Sequence, residues 1–140
     1  MATPVYGKQY IRFAETGLVP ANLPLEAFTL VEINSALATE PPTLAVAQGA
    51  GCFGVLQQDM PAVDPDRAVT MPRLGTVATS GLLLVRCDAG SLPSQGLGLK
   101  VNGAGEAAAG GTDITVNGTQ PTVRQYVQIG GVNHVLVSFN

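Results

Sequence analysis

Apolar residues in this chain concentrate in segments of four to eight residues, bounded by Gly, Pro, Asn and Asp, and they do not recur at helical spacing. AFTLVEI at Ala27–Ile33 is rich in strand formers and too short for a comfortable helix. The NSALATEPP stretch that follows ends on two prolines, which would stop a helix, so it reads as a loop. TLAVAQ at Thr43–Gln48 and CFGVLQQ from Cys52 predict two strands joined by a turn at Gly49-Ala50-Gly51. Asp59–Asp66 is a polar link whose Pro61 and Pro65 restrict the residues before them. Arg67–Met71 and Leu74–Thr79 predict short strands on either side of Pro72, which belongs at an edge or bulge. Gly81 then reads as the glycine of a turn, leading into GLLLVRCD at Gly81–Asp88, whose solid apolar run predicts burial on both faces.

The C-terminal half carries clearer turn chemistry. Gly96–Val101 predicts a strand between the loops AGSLPSQ and NGAGEAAAGG. Asp113–Val116 meets Asn117-Gly118, a strong hairpin signal, and Pro121 keeps that hairpin short. Thr122–Ile129 and Val132–Phe139 flank Gly130-Gly131, which predicts a two-residue turn with Ile129 opposite Val132, Val127 opposite His134 and Tyr126 opposite Val135. That register puts apolar residues on both faces of the hairpin. Some nine to eleven short strands and no helix predict an all-β chain, a small β-barrel or β-tulip-like domain. Residues 1–25 hold three prolines and scattered aromatics without a period, and read as an extended N-terminal arm with one short strand at Gln9–Ala14; residues 26–140 form the domain.

Composition sharpens this picture in one respect. A chain of 140 residues can bury a core without disulfides or metal. Only 12% of its residues are charged, where about 25% is usual. Charge is depleted at the centres of protein interfaces, so the shortage points to a surface partly covered in an assembly. A net charge of −3 with two lysines gives no basic patch for nucleic acid. No apolar run reaches the length of a membrane span, and the N-terminus lacks the apolar stretch of a signal peptide, so neither membrane nor secretion is expected. Cys52 and Cys87 are then expected as reduced, buried residues rather than a disulfide.

The sequence presents no convergent set of catalytic groups. His134 is the single histidine, placed mid-strand, and the spacing of Ser138 and Asp113 does not select them as partners, so a structural role is expected. Asp59, Asp64 and Asp66 are too few and irregular for a calcium loop and suit a Pro-rich turn. The glycine stretches at Gly96–Lys100 and Gly103–Gly111 match neither phosphate-loop pattern and precede no helix. No enzyme activity, cofactor or metal is therefore expected.

The order of AFTLVEI, TLAVAQ, CFGVLQQD, a Pro- and Asp-rich link, RAVTM and LGTVATSGLLLVRCD resembles the small β-rich capsid decoration, or cement, proteins of tailed bacteriophages. Gly54-Val55 before the polar link, the Arg67–Met71 strand and Gly81 before the next strand carry the likeness, which spans about Ala27–Val101. The resemblance implies a structural virion protein, made in the host cytoplasm, that sits on the capsid exterior and bridges major capsid protein subunits as a homo-oligomer, by preference a trimer. It also implies that the arm reaches over neighbouring subunits, with Tyr6, Tyr10, Arg12, Phe13, Leu18 and Leu23 as capsid or subunit contacts. A tail, neck or baseplate component is one alternative; a glycan- or small-ligand-binding β module is another, though the chain has no Trp and few exposed-aromatic candidates.

Overall fold

The computed structural model describes residues 9–48, 51–61 and 73–139. Among them are nine strands and no helix: β1 (Tyr10–Val19), β2 (Leu30–Ile33), β3 (Leu44–Val46), β4 (Gly54–Leu56), β5 (Arg73–Arg86), β6 (Lys100–Val101), β7 (Thr112–Asp113), β8 (Thr122–Ile129) and β9 (Val132–Phe139). All ladders between these strands are antiparallel. The all-β expectation holds. Tyr6, Asp64, Asp66 and the Arg67–Met71 strand lie outside the described residues, as does most of the turn at Gly49-Ala50-Gly51.

β5 is the strand on which the others are assembled. Val77 and Ala78 pair with both β1 and β4, while Gly81 and Leu82 pair with both β1 and β9. Since a residue has two edges, β1 must run along one edge of β5, with β4 and then β9 following each other along the other. β2 and β3 extend the sheet beyond β4, and β8 extends it beyond β9.

The expected turn at Gly81 is therefore absent: Leu74–Thr79 and Gly81–Asp88 are two halves of one long strand. What the glycine supplies instead is a change of phase. Ala78, Leu83 and Val85 belong to one core cluster, although strict alternation from Ala78 would send Leu82 and Leu84 there. An extra residue at Arg12 in β1 and another at Thr79 in β5 mark paired bulges, and Gly81 has φ +125° beside them. A one-residue slip moves side chains to the other face, so the irregularity lets both halves of β5 face the same core. Beyond it Leu83, Leu84 and Val85 are all fully buried, as the solid apolar run predicted.

Three clusters share the interior. The largest gathers Leu30, Val55, Leu99, Ile114, Val123, Val135 and Val137 with Ala78, Leu83 and Val85 of β5. On the opposite side of the sheet Val19, Leu25, Val31, Leu44, Leu56, Met60 and Val77 form a second cluster. Leu84, Val127 and Leu136 form the third, covered by Phe28. The boundary drawn at residue 25 thus falls inside the packing, because Val19 and Leu25 are core residues.

Among the described residues the ladders do not close into a barrel, although a parallel bridge from Leu18 to Thr43 ties β1 to the start of β3. Segment 96–99 lies along β8 through bonds from Gly96 N to Val123 O (2.7 Å), Val123 N to Leu97 O (2.9 Å) and Leu99 N to Pro121 O (2.8 Å). Among the described strands β6 pairs with β7, its Val101 also bridges Ala107, and a bridge from Gly51 to Thr115 leads back toward β4. The strand expected over Gly96–Val101 is thus reduced to Lys100–Val101, the rest being an edge cover held by main-chain bonds.

Both turn signals in the C-terminal half are realised. Asn117 and Gly118 have φ of 54° and 79°, and Val116 and Thr119 exchange main-chain bonds of 2.9 and 3.1 Å across them. The final hairpin has the expected register at Ile129/Val132, Val127/His134 and Tyr126/Val135, with a bulge between Val123 and Gln125. It does not bury both faces throughout: Arg124, Gln125 and Tyr126 are exposed because β8 is the outer strand, while His134–Val137 of β9 are buried. At the other end, Arg73 ties the loop after β1 to the segment at Pro61, donating to the carbonyls of Pro20 (3.0 Å), Leu23 (2.9 Å) and Pro61.

Candidate interaction surface along the first strand

β1 is paired to β5 at nine positions, yet Tyr10 to Thr16 are exposed without a break. With Arg12 counted as the extra residue, Tyr10, Phe13, Glu15, Gly17 and Val19 share one face of the strand. At Val19 and Gly17 that face is inside the second core cluster or against it; a Cβ added to Gly17 would lie 2.5 Å from Leu44 Cγ. The cover then ends. Phe13 and Tyr10 continue the same face with 64% and 65% of their surface open to solvent. The neighbouring Ile11 is 41% exposed on the other face, and Leu74, opposite Leu18 at the far end of the ribbon, is 60% exposed.

The expected contact residues divide accordingly. Tyr10, Arg12 and Phe13 stand together on the exposed half of β1. Leu18 is half-buried, its N–H bonded to Pro42 O at 2.8 Å. Leu23 is half-buried against the second core cluster. Ile11 and Leu74 escaped the sequence reading. Leu74 carried a signal, since it is an apolar residue in phase with Thr76, away from the buried Gly75 and Val77.

An open cleft of about 530 Å³ lies beside this strand, lined by Arg12, Phe13, Glu15, Cys52, Phe53 and Asn117 among others. It brings no nucleophile to a base. The Cys52 thiol donates toward Val31 O (3.5 Å) and Gly54 O (3.6 Å), and burial pushes its pKa up to about 12. Cys87 is likewise pushed to about 12 by burial, with Glu106 adding to the effect. Both are free, and both stay protonated at neutral pH. Asp59 accepts a bond from Ala27 N at 2.9 Å, a loop-fixing role. Among the described residues, no group of three His, Cys, Asp or Glu is placed to hold a metal ion, and no helix is long and apolar enough to cross a membrane.

His134 is buried between β5 and β8. Its Nδ1 lies 3.0 Å from Val132 O, Phe28 meets the ring edge-on at 5.5 Å, and its cross-strand neighbours are Arg86 and Val127. Burial lowers its pKa; the Val132 carbonyl opposes this, and the Arg86 charge adds to it. Arg86 is itself paired with Glu26. A depressed histidine value means that the unfolded chain takes up the proton first. Stability should hold above about pH 6.5, fall as pH drops through that unfolded value, and go on falling to the lower folded one. Urea midpoints measured between about pH 7.5 and pH 5 test this: His134→Leu should flatten the slope, and an unchanged slope would remove the histidine from the account.

No family model, no characterised protein and no solved structure matches the chain.

Proposed function

We propose that this protein is a structural component that acts by docking an apolar strand face onto a larger protein assembly. The observation that carries the reading is the face of β1 that leaves the core at Gly17 and continues uncovered through Phe13 and Tyr10. Aromatic residues dominate the energetic centres of protein interfaces. The low charge of the chain agrees with a surface meant to be covered.

Within that class, the phage capsid decoration reading is the most specific one that the residue pattern supports. In it the protein lies on the capsid exterior and bridges major capsid protein subunits, so that expansion of the shell must break its contacts too. The core ringed by β4, β5, β9, β8 and segment 96–116 supports an opened variant of the barrel or tulip architecture. A tail or baseplate location would use the same surface in another part of the particle.

Binding to purified capsids, read by co-sedimentation and by the capsid melting temperature, tests the reading. The double substitution Tyr10→Ser with Phe13→Ser should weaken binding by about a hundredfold, since two exposed aromatic anchors are each worth roughly 1–2 kcal/mol or more in an interface. The wild-type protein leaving capsids unbound and their melting unchanged would overturn the capsid assignment. Equal binding by the double variant would move the docking surface elsewhere.

A further inference from the structure

The outer edge of β1 is a second, separate feature. Leu18 spends its outward N–H on Pro42 O, which fixes the alternation: the main-chain groups of Thr16, Ala14 and, past the bulge, Ile11 also point away from β5. Among the described residues no main-chain group meets them. A free edge of this length is a template for another strand.

We infer that this edge pairs antiparallel with the same edge of a second copy, about a twofold axis at Ala14. Of the registers centred on Ala14, Glu15 and Thr16, the first alone is self-complementary. Centring on Ala14 pairs Ala14 with Ala14, Ile11 with Thr16, Phe13 with Glu15 and Tyr10 with Gly17 of the other copy. Arg12, the extra residue next to Phe13, then stands beside the second copy's Glu15, and the symmetry makes that contact twice. Neither Arg12 nor Glu15 has an ion-pair partner among the described residues. Centring on Glu15 would set two carboxylates face to face, and centring on Thr16 would collide with the bond already made at Leu18. The small Ala14 side chain at the axis leaves the backbones free to approach. A twofold interface is the commonest way in which identical chains associate.

The dimer uses the edge of β1 and leaves its Tyr10 and Phe13 face open, so it does not rest on the capsid reading and can fail or hold separately from it. It also differs from the trimer that the family resemblance implies. Sedimentation equilibrium of the purified protein should show a monomer–dimer equilibrium. Arg12→Glu and Glu15→Arg should each weaken it by about tenfold, through two repulsive contacts of roughly 0.7 kcal/mol, and the double exchange should restore it. Ala14→Pro removes the outward N–H at the axis and should give a monomer with an unchanged circular dichroism spectrum. A wild-type monomer at every concentration, a trimer, or a double exchange no better than the single variants would overturn the inference. So would an Ala14→Pro protein, folded or not, that still dimerises.

Discussion

Gly81→Ala is expected to lower stability by about 3 kcal/mol or more, and the thermal midpoint by about 10 °C. Two separate costs converge at this residue. Its φ of +125° lies in a region that L side chains rarely adopt, and a Cβ there would stand 2.1 Å from Tyr10 O and 2.9 Å from Arg12 N. Both near atoms are main chain, so relief requires β1 to move off β5 at the bulge. The damage then spreads: losing the phase change would turn Leu83 and Val85 out of the largest cluster. Gly110→Ala is the matched control, with open space around the added methyl group and no positive φ, and it should change stability by less than about 0.5 kcal/mol. A cost below about 1 kcal/mol at Gly81 would mean that the glycine sits in an exposed turn after all.

That glycine also shows where sequence reading stops. A Gly ahead of an apolar run is the same local signal whether the chain reverses there or passes through a bulge. What decides is the neighbour: β1 lies on the far side of Gly81, from a segment some seventy residues earlier in the chain. The two C-terminal turns were legible because Asn117-Gly118 and Gly130-Gly131 act within four residues and fix register locally. The exposure of β8 was only partly so: Val123 and Val127 are core residues as they look, and it is the outer position of the strand that leaves Arg124, Gln125 and Tyr126 between them in solvent. The surface on β1 was half legible. Aromatics at Tyr10 and Phe13 among polar neighbours marked it, whereas the division between exposed Thr16 and buried Gly17 depends on where Leu44 arrives.

Deleting residues 2–24 is expected to abolish cooperative folding, in contrast to an appended arm, whose removal would leave the domain intact. The deletion removes β1 and its ladder along β5, takes the fully buried Val19 out of the second cluster, and uncovers Val77, Leu44 and Leu56 behind it. It also strips Arg73 of two of its three carbonyl partners, at Pro20 and Leu23. Losing one buried valine costs about 2 kcal/mol, uncovering its neighbours adds a similar amount, and each lost bond to the guanidinium adds about 1.5 kcal/mol. Their sum reaches the roughly 5–15 kcal/mol that holds an ordinary domain together. The measurement is a urea or thermal transition followed by circular dichroism, with amide dispersion in NMR spectra as the second probe. Persistence of a sharp transition near the wild-type midpoint would restore the boundary at residue 25. Substitutions at Tyr10 and Phe13 should by contrast leave the midpoint nearly unchanged, since both side chains are mostly in solvent already. The first strand is therefore two things along its length: from Gly17 onward it is core, and from Tyr10 to Thr16 it is surface. Only point substitutions in the latter half can separate loss of attachment from loss of fold.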